Sequence, residues 1–286
     1  MNHPAELQVF SYLQKAMKGE ATMTKEVAEQ VASDVKAALD KQFNSPPRDA
    51  FKLRMSNIGR PKCQLWFEKN DPEDKIPLSP HFLINMILGD LVEAVFKGLL
   101  RAAGAEFKDN DNVTLKLPDG QEIQGEYDME MDGKIDDVKS ASPWSYNNKF
   151  DSFESLQKGD GFGYIPQLVG YSMAAGKEVG GWWVVNKGNG EFKYVSASEV
   201  DSEKVIKDIQ ETVNYIEKNE PFERCFKPVP ETYRNKPSGN LVLDTGCKWC
   251  NFKYKCWDTL KTLPSRVSKA KVKPEVDYIF IGDSID

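Results

Sequence analysis

Residues 125–142 read GEYDMEMDGKIDDVKSAS, with an acid at every second position of the first half and a lysine after the last two acids. A period of two is typical of β-strands, and the central MDG predicts a tight hairpin turn. Side chains two positions apart share a face of a strand, so Asp137 and Lys139 point one way and Asp136 points the other. This stretch therefore predicts a β-hairpin that carries acids on both faces.

One face of the hairpin has the composition of a metal site. Asp128, on the first strand, can lie opposite Asp137, and two facing carboxylates repel each other unless a cation lies between them. Mg²⁺ and Mn²⁺ prefer oxygen ligands, and Lys139 beside such an ion could hold or deprotonate a water and stabilise phosphate charge. The pattern predicts metal-assisted phosphodiester hydrolysis. A solvated acidic surface is the alternative.

Helical and strand-like segments surround the hairpin. An apolar stripe at intervals of four predicts helix up to about residue 43, and PHFLINMILGDLVEAVFKGLLRAAG, 80–104, predicts a long helix that ends at a glycine. This order of elements predicts one α/β core with helical additions. The other predicted elements are strands at 112–117, 121–131, 134–140, 181–187 and 191–197, and helices at 164–176 and 197–219.

Three polar residues on the predicted helices can join this site. Glu93 lies on the long apolar helix, four residues after Gly89, so the two stack on one face. Taken by itself, Glu93 fits better on the solvated face of that helix, together with Asp90. Gln167 and Tyr171 are one helical turn apart, so both side chains can reach one place.

GEYD followed by DVK resembles the Gly-x-x-Asp … (Asp/Glu)-x-Lys signature of the PD-(D/E)xK nuclease superfamily. The segment 89–93 resembles its upstream helix motif, and QLVGY, 167–171, resembles the Gln-x-x-x-Tyr motif of the RecB-like branch. The resemblance covers roughly residues 55–258 and implies a restriction-endonuclease-like core, a central mixed sheet flanked by helices. Many RecB-like members have histidine where Glu93 stands, which leaves the choice of metal open. The resemblance implies catalytic roles for Glu93, Asp128, Asp137, Lys139, Gln167 and Tyr171, and metal binding by Glu93, Asp128, Asp137 and Val138.

The cysteines form a second pattern. CKWCNFKYKC contains Cys247-x2-Cys250-x5-Cys256, a spacing typical of metal ligands, and Cys63 and Cys225 are the candidates for a fourth ligand. The spacing alone leaves both the fourth ligand and the choice between zinc and iron–sulfur open.

The same spacing resembles the iron–sulfur subgroup of RecB-like nucleases, which includes AddB and CRISPR-adaptation nucleases. That resemblance implies a [4Fe-4S] cluster bound by Cys63, Cys247, Cys250 and Cys256, with Zn²⁺ at the same four thiolates as the alternative. Cys225 is then a bystander in the core. Because Cys63 and Cys247 are 184 positions apart, such a centre would join both flanks of the core, and the metal–ligand bonds must offset the loop entropy.

The chain is predicted to have three parts: an N-terminal helical region (1–55), a RecB-like nuclease domain closed by the cysteine centre (56–258), and a basic then acidic tail (259–286). The cysteine-rich end is expected to be rich in loops. The net charge is −6, yet residues 247–273 contain eight basic residues and one acid. That segment is a candidate contact for the DNA backbone.

Aromatic residues follow the hairpin. Trp144 and Tyr146, with Lys149, could stack on and pair with a nucleic-acid strand, or the two rings could fill the core. Trp182 and Trp183 are expected in the core.

The N-terminus has no signal-peptide pattern, and no apolar run approaches the roughly 18 residues of a membrane span, so a cytoplasmic protein without membrane contact is expected. The resemblance implies a DNA exonuclease, on single-stranded ends with 5′→3′ polarity, in a phage or mobile element. The alternatives are a non-cleaving nucleic-acid-binding module and a subunit of a recombination or CRISPR-adaptation complex. The sequence leaves polarity, exo or endo preference, strandedness, pathway and oligomeric state open.

Overall fold

The computed structural model describes residues 3–46 and 51–282. The helices are α1 (Pro4–Met17), α2 (Lys25–Phe43), α3 (Lys62–Asn70), α4 (Pro80–Ala102), α5 (Phe153–Lys158), α6 (Tyr164–Ala175), α7 (Ser202–Glu217) and α8 (Lys253–Cys256), with short 3₁₀ or π segments at Pro72–Asp74, Ser145–Lys149 and Thr245–Cys247. The strands are β1 (Lys108–Lys116), β2 (Glu122–Met131), β3 (Lys134–Ala141), β4 (Glu178–Asn186), β5 (Phe192–Ser196), β6 (Val229–Tyr233), β7 (Lys236–Val242), β8 (Lys261–Pro264) and β9 (Glu275–Phe280).

The chain divides into two compact units. The larger unit is Met1–Gly59 with Ser79–Val213, and the smaller is Arg60–Leu78 with Asn214–Asp286. Each unit is built from two segments that are distant in sequence. The two units therefore do not coincide with the three predicted parts of the chain. The division into three parts stays a prediction about domain organisation.

The larger unit contains a five-stranded mixed sheet in the order β1-β2-β3-β4-β5. Neighbouring strands are antiparallel except β3 and β4, which are parallel. A parallel pair needs a long crossover, and here the crossover contains α5 and α6. The prediction of a mixed α/β fold with helices around a central sheet is confirmed at this level.

The hairpin of β2 and β3 has the predicted tight turn. Its central residues, Asp132 and Gly133, have φ values of +52° and +77°, as a type I′ turn requires. The register pairs Met129 with Asp136. Continued by one step, the same register brings Asp128 opposite Asp137.

The two faces of the sheet pack on different helices. One face contributes Met129, Val138 and Trp183 to a core completed by Phe96 of α4 and Val9 of α1. The opposite face packs on α6, which contacts β1 to β4. Trp182 and Trp183 are both buried, as expected for core residues.

The N-terminal region contains two helices where the sequence indicated continuous helical character. The break follows Met17, where Gly19 has a φ of +73°, and Thr24 then caps the N-terminus of α2 with its hydroxyl. Among the described residues, no helix combines the length and apolar character that a membrane crossing requires.

The prediction of a loop-rich end is wrong. Residues 229–280 contain a four-stranded antiparallel sheet in the order β6-β7-β9-β8. Two of its strands lack the usual apolar alternation: β7 reads KPSGNLV and β8 reads KTLP. Proline and glycine normally argue against a strand, so the tertiary pairing determines these strands rather than the local pattern.

Candidate functional site

The strand β3 brings Asp137 and Lys139 together. The carboxylate oxygen Oδ2 of Asp137 lies 2.5 Å from Nζ of Lys139, and Asp137 is only 2% exposed. Among the described residues, none meets this buried oxygen with hydrogen-bond geometry, so its contact with Lys139 is an ion pair. Asp137 Oδ2 therefore keeps lone pairs that another cation could use.

Asp128 joins the pair from β2. Its Oδ2 accepts a hydrogen bond of 2.8 Å from the backbone N–H of Val138, which fixes the carboxylate against the segment between Asp137 and Lys139. The predicted placement of Asp128 across the hairpin thus agrees with the geometry. The role of the Val138 carbonyl as a ligand stays a prediction.

Glu93 reaches the same group from α4, which packs against β3. Burial raises the pKa of the Glu93 carboxyl to about 7, and repulsion by Asp128 adds to the effect. Lys97, one turn along the helix, lies 3.5 Å from Glu93 and partly opposes that rise. Glu93 is thus not an isolated acid on a solvated face. The group Glu93, Asp128, Asp137 and Lys139 is called the acid–lysine site below.

The charges of the site are coupled. Burial raises the pKa of Asp137 against the opposing effect of Lys139, and the charges of Asp128 and Glu93 raise it further. Burial disfavours a charged Lys139, but the attraction of Asp137 and Asp128 outweighs it and raises the pKa of Lys139. Lys139 is therefore a persistent cation, whereas the raised pKa values of Asp137 and Glu93 mean that these two acids hold protons more tightly than usual.

Gln167 and Tyr171 lie on α6 beside the same group. The Gln167 amide donates a hydrogen bond of 3.2 Å to the Tyr171 hydroxyl, as their spacing allows. Burial raises the pKa of Tyr171 to about 12, and the charges of Asp137 and Asp128 act on it. A Cβ at Gly125 would lie 2.6 Å from the Tyr171 ring, so the glycine of GEYD lets β2 pass this tyrosine.

The acid–lysine site fits a hard divalent cation in chemistry, because it offers three carboxylates and the under-bonded oxygen of Asp137. In geometry it is open: the three acids do not have ligand atoms all within 4.8 Å of one another. The one described group that meets this spacing is Asp71, Glu73 and Asp74. In that group, Asp71 and Asp74 form ion pairs with Lys255. Side-chain rotation would have to bring the three acids of the site onto one ion.

Asp136 lies on the other face of β3, as the alternation predicts. It is 1% exposed and accepts hydrogen bonds from the Tyr194 hydroxyl and the Gly181 N–H, both at 2.8 Å, and from the Trp183 indole at 3.3 Å. Burial raises its pKa to about 7, although these donors oppose the rise. Asp136 is therefore a buried structural acid and does not belong to the acid–lysine site.

One residue of the site was not identified from the sequence. The Tyr164 ring centroid lies 5.5 Å from Nζ of Lys139, at the start of α6. Its position three residues before Gln167 and seven before Tyr171 puts all three on one helix face, and this spacing was the available signal.

The aromatic residues after β3 differ from each other. Trp144 is 69% exposed and stays a candidate for strand contact, whereas Tyr146 is buried with Nζ of Lys193 4.3 Å from its ring. Lys149 lies 4.5 Å from the ring of Tyr164. Of the two possibilities for Tyr146, core packing is the one that the structure supports.

The smaller unit contains all five cysteines as free thiols. Cys63 lies on α3, and Cys247, Cys250 and Cys256 follow β7 in the second segment of the unit. One pocket is lined by these four residues, together with Phe67 and Trp257 among others. The structure thus brings together the four predicted ligands of the cysteine centre, a name used below for Cys63, Cys247, Cys250 and Cys256.

Burial and mutual repulsion keep the triplet protonated without a metal. Burial raises the pKa of Cys247 to about 12, with Cys250 and Cys256 adding to the rise. Such a set of thiols fits a metal centre, which stabilises the thiolate form. Among the described residues, no three cysteine sulfurs lie mutually within 4.8 Å. A tetrahedral zinc ion, with Zn–S bonds of about 2.3 Å, would hold its sulfur ligands about 3.8 Å apart.

Cys225 is a neighbour of the centre. Its Sγ accepts a hydrogen bond of 3.1 Å from the backbone N–H of Cys63, and the interaction with Cys63 lowers the pKa of Cys225 to about 7. It is not among the residues that line the pocket. Cys225 therefore contacts a predicted ligand, and its role as a bystander stays a prediction.

No protein-family model matches the chain, and no match was found among curated proteins. Among solved structures, one described as the crystal structure of SSO0001 is similar, with a TM-score of 0.42 and 15% sequence identity. The similarity covers 78% of this chain and 93% of that chain. At this TM-score the likeness carries no argument about the fold or activity of this protein.

Proposed function

We propose that the protein is a metal-dependent DNA nuclease with a PD-(D/E)xK core of the RecB-like, iron–sulfur type. The observation that supports this most is the convergence of Asp137, Lys139 and Asp128 with Glu93 from a separate helix. Structural ion pairs also perturb pKa values, but one buried and two half-buried acids around one cation are unusual for a role in stability alone.

Each residue of the acid–lysine site has a role in this proposal. Glu93, Asp128 and Asp137, with the Val138 carbonyl, would hold Mg²⁺ or Mn²⁺, which would supply Lewis acidity at the phosphate and lower the pKa of a bound water. Because its pKa is raised, Lys139 acts as a charged donor to the phosphate and the water rather than as a proton acceptor. The hydrogen-bonded Gln167 and Tyr171 would position the substrate or Lys139.

The cysteine centre is proposed to hold a [4Fe-4S] cluster. The convergence of the four thiols on one pocket supports a metal centre, and the resemblance of their sequence spacing to the iron–sulfur subgroup supports the cluster. Zinc remains the alternative, and metal content together with the visible spectrum decides between them.

The proposed substrate is a single-stranded DNA end, cleaved exonucleolytically with 5′→3′ polarity. The basic segment 247–273 supports contact with a DNA backbone, although two of its lysines have partners: Lys253 pairs with Asp277 and Lys255 with Asp74, each at 2.7 Å. Six exposed cations of the segment remain for phosphate: Lys248, Lys261, Arg266, Lys269, Lys271 and Lys273.

The test is a cleavage assay on protein purified without oxygen. Single-stranded oligonucleotides labelled at the 5′ or the 3′ end are incubated with Mn²⁺, Mg²⁺ or EDTA, and the product sizes reveal polarity. Metal-dependent release of short products is expected. Binding without cleavage under all metal conditions would instead support a non-cleaving module, and stable co-purifying proteins would support a subunit of a recombination or CRISPR-adaptation complex.

A further inference from the structure

A ladder of aromatic rings lies beside Lys139. The rings of Phe162, Tyr164 and Phe150 stack in that order, with centroids 5.8 and 5.6 Å apart and interplanar angles of 18° and 29°. Tyr164 is the ring that lies 5.5 Å from Nζ of Lys139. The ladder therefore extends from the acid–lysine site to Phe162, which is 56% exposed.

The loop that carries Phe162 is held in place on both sides. Asp160 accepts hydrogen bonds of 2.8 Å from the first two backbone N–H groups of α6. Gly163 has a φ of +76°, and a Cβ there would lie 2.3 Å from the backbone of Gly59, so only glycine fits. The loop therefore holds the exposed Phe162 ring in place. Because the ring is exposed, it adds little to the core.

A cation accompanies the ladder. Nζ of Lys149 lies 4.7 Å from the centroid of Phe162 and 4.5 Å from that of Tyr164. A ring with an ammonium group beside it matches the alternation of base and phosphate along a single strand.

We propose that Phe162 is a stacking platform for one unpaired base of the substrate strand and that Lys149 binds a phosphate next to that base, an inference that rests on the proposed nuclease function. The two ring contacts put Phe162 within about 11 Å of Nζ of Lys139. At about 3.4 Å per nucleotide in a stacked strand, the base lies within about three nucleotides of the scissile phosphate. Because stacked neighbouring base pairs cover the faces of a base within a duplex, the platform selects unpaired DNA.

The test measures binding without divalent ions, so that no cleavage occurs. Full-length protein purified without oxygen is titrated into single-stranded oligonucleotides that carry one 2-aminopurine or one abasic site at successive positions from an end. The wild-type protein is expected to quench 2-aminopurine at one position. An abasic site at that position is expected to weaken binding roughly 5- to 140-fold, the equivalent of one stacked base.

Variants assign the effect to the ring. With intact DNA, Phe162→Ala is expected to show the same weakening and no further loss with abasic DNA, whereas Phe162→Trp keeps wild-type binding. Phe10→Ala is the matched control, because Phe10 on α1 is 47% exposed and outside the ladder; it is expected to bind normally. Lys149→Gln is expected to reduce the slope of log Kd against log salt by about 0.7, the value for one phosphate of a single strand.

Each outcome decides one claim. The platform is overturned by equal binding of wild type and Phe162→Ala, by an abasic penalty that persists in Phe162→Ala, or by a wild-type protein that does not bind single-stranded DNA. Adding Mn²⁺ then tests the proposed function separately. If stacking depends on Phe162 and no cleavage occurs, the platform is supported and the nuclease is contradicted. If cleavage occurs and does not depend on Phe162, the nuclease is supported and the platform is contradicted.

Discussion

At the scale of single residues, the adjacent acids of β3 have different environments. Asp137 faces Lys139 with an oxygen that has no hydrogen-bond partner among the described residues, whereas Asp136 accepts three hydrogen bonds in the core. Strand alternation predicts this separation. Strand alternation does not predict the burial of Asp136. Because Asp136 is buried and accepts these hydrogen bonds, its removal cannot be mild for the fold.

Asp136→Ala is therefore expected to destabilise the protein by about 3 kcal/mol or more, because it removes the acceptor of buried donors such as the Gly181 N–H and the Trp183 indole. Asp136→Asn keeps an acceptor and should cost less. Chemical unfolding followed by circular dichroism measures both. An Asp136→Ala protein with wild-type stability and no cleavage would instead assign Asp136 to catalysis.

A second prediction concerns the charge of Lys139. If Lys139 acts as a persistent cation, Lys139→Arg keeps a measurable part of the cleavage rate and Lys139→Met loses about 10²-fold or more. A wild-type rate profile without an inflection from Lys139 between about pH 8 and 10 is expected, since the lysine's pKa is raised above its usual value. An inflection there that disappears in Lys139→Arg would identify Lys139 as a proton acceptor.

At the scale of elements, the sequence predicted the parts of the site that lie on regular structure. Period two identified β2 and β3, and the apolar run identified α4 with Glu93. Local patterns do not encode which rings meet across loops, so the ladder that contains Tyr164 could not be predicted. The strands β6 to β9 were missed for a similar reason, because their pairing is tertiary and the sequences of β7 and β8 lack apolar alternation.

The packing of α4 against β3 has a consequence for pH dependence. Burial raises the folded-state pKa values of Glu93 and Asp136 to about 7, above their unfolded values, so the folded state binds protons more tightly. In protein stripped of divalent ions, the stability that these two groups contribute is therefore fully present below about pH 4. That contribution is lost as the pH rises through about 7.

Thermal unfolding measured from about pH 5 to about pH 8 tests this loss of stability, because the range includes the raised pKa values. Tm is expected to fall as the pH rises, and Mn²⁺ should stabilise the protein more at the upper end, because metal ligands must be deprotonated. Glu93→Gln should reduce both effects. A Tm that rises across this range, with no larger metal effect at the upper end, would contradict the proposed acid cluster.

At the scale of the whole molecule, the smaller unit consists of two segments that are far apart in the chain. The cysteine centre contains one residue from Arg60–Leu78 and three from Asn214–Asp286. A metal centre there would join these segments covalently, so its loss should loosen the unit.

Cys63→Ser is accordingly expected to lose the metal, the visible absorbance and the resistance of the smaller unit to proteolysis. Cys225→Ser is expected to keep about four irons per chain and to cost about 0.5–3 kcal/mol, as ordinary substitutions do. Iron and zinc content measured on both variants decides the ligand. Metal loss in Cys225→Ser with retention in Cys63→Ser would reverse the assignment, and one zinc per wild-type chain without colour would replace the cluster by zinc.

The most direct test of the central claim is the single-turnover cleavage rate with Mn²⁺ of wild type, Asp137→Asn and Glu126→Gln. Glu126 is the matched control, an exposed acid on the same hairpin. Asp137→Asn is expected to lower the rate by at least about 10²-fold with the fold retained, and Glu126→Gln to leave it unchanged. Equal rates for wild type and Asp137→Asn would contradict hydrolysis at the acid–lysine site.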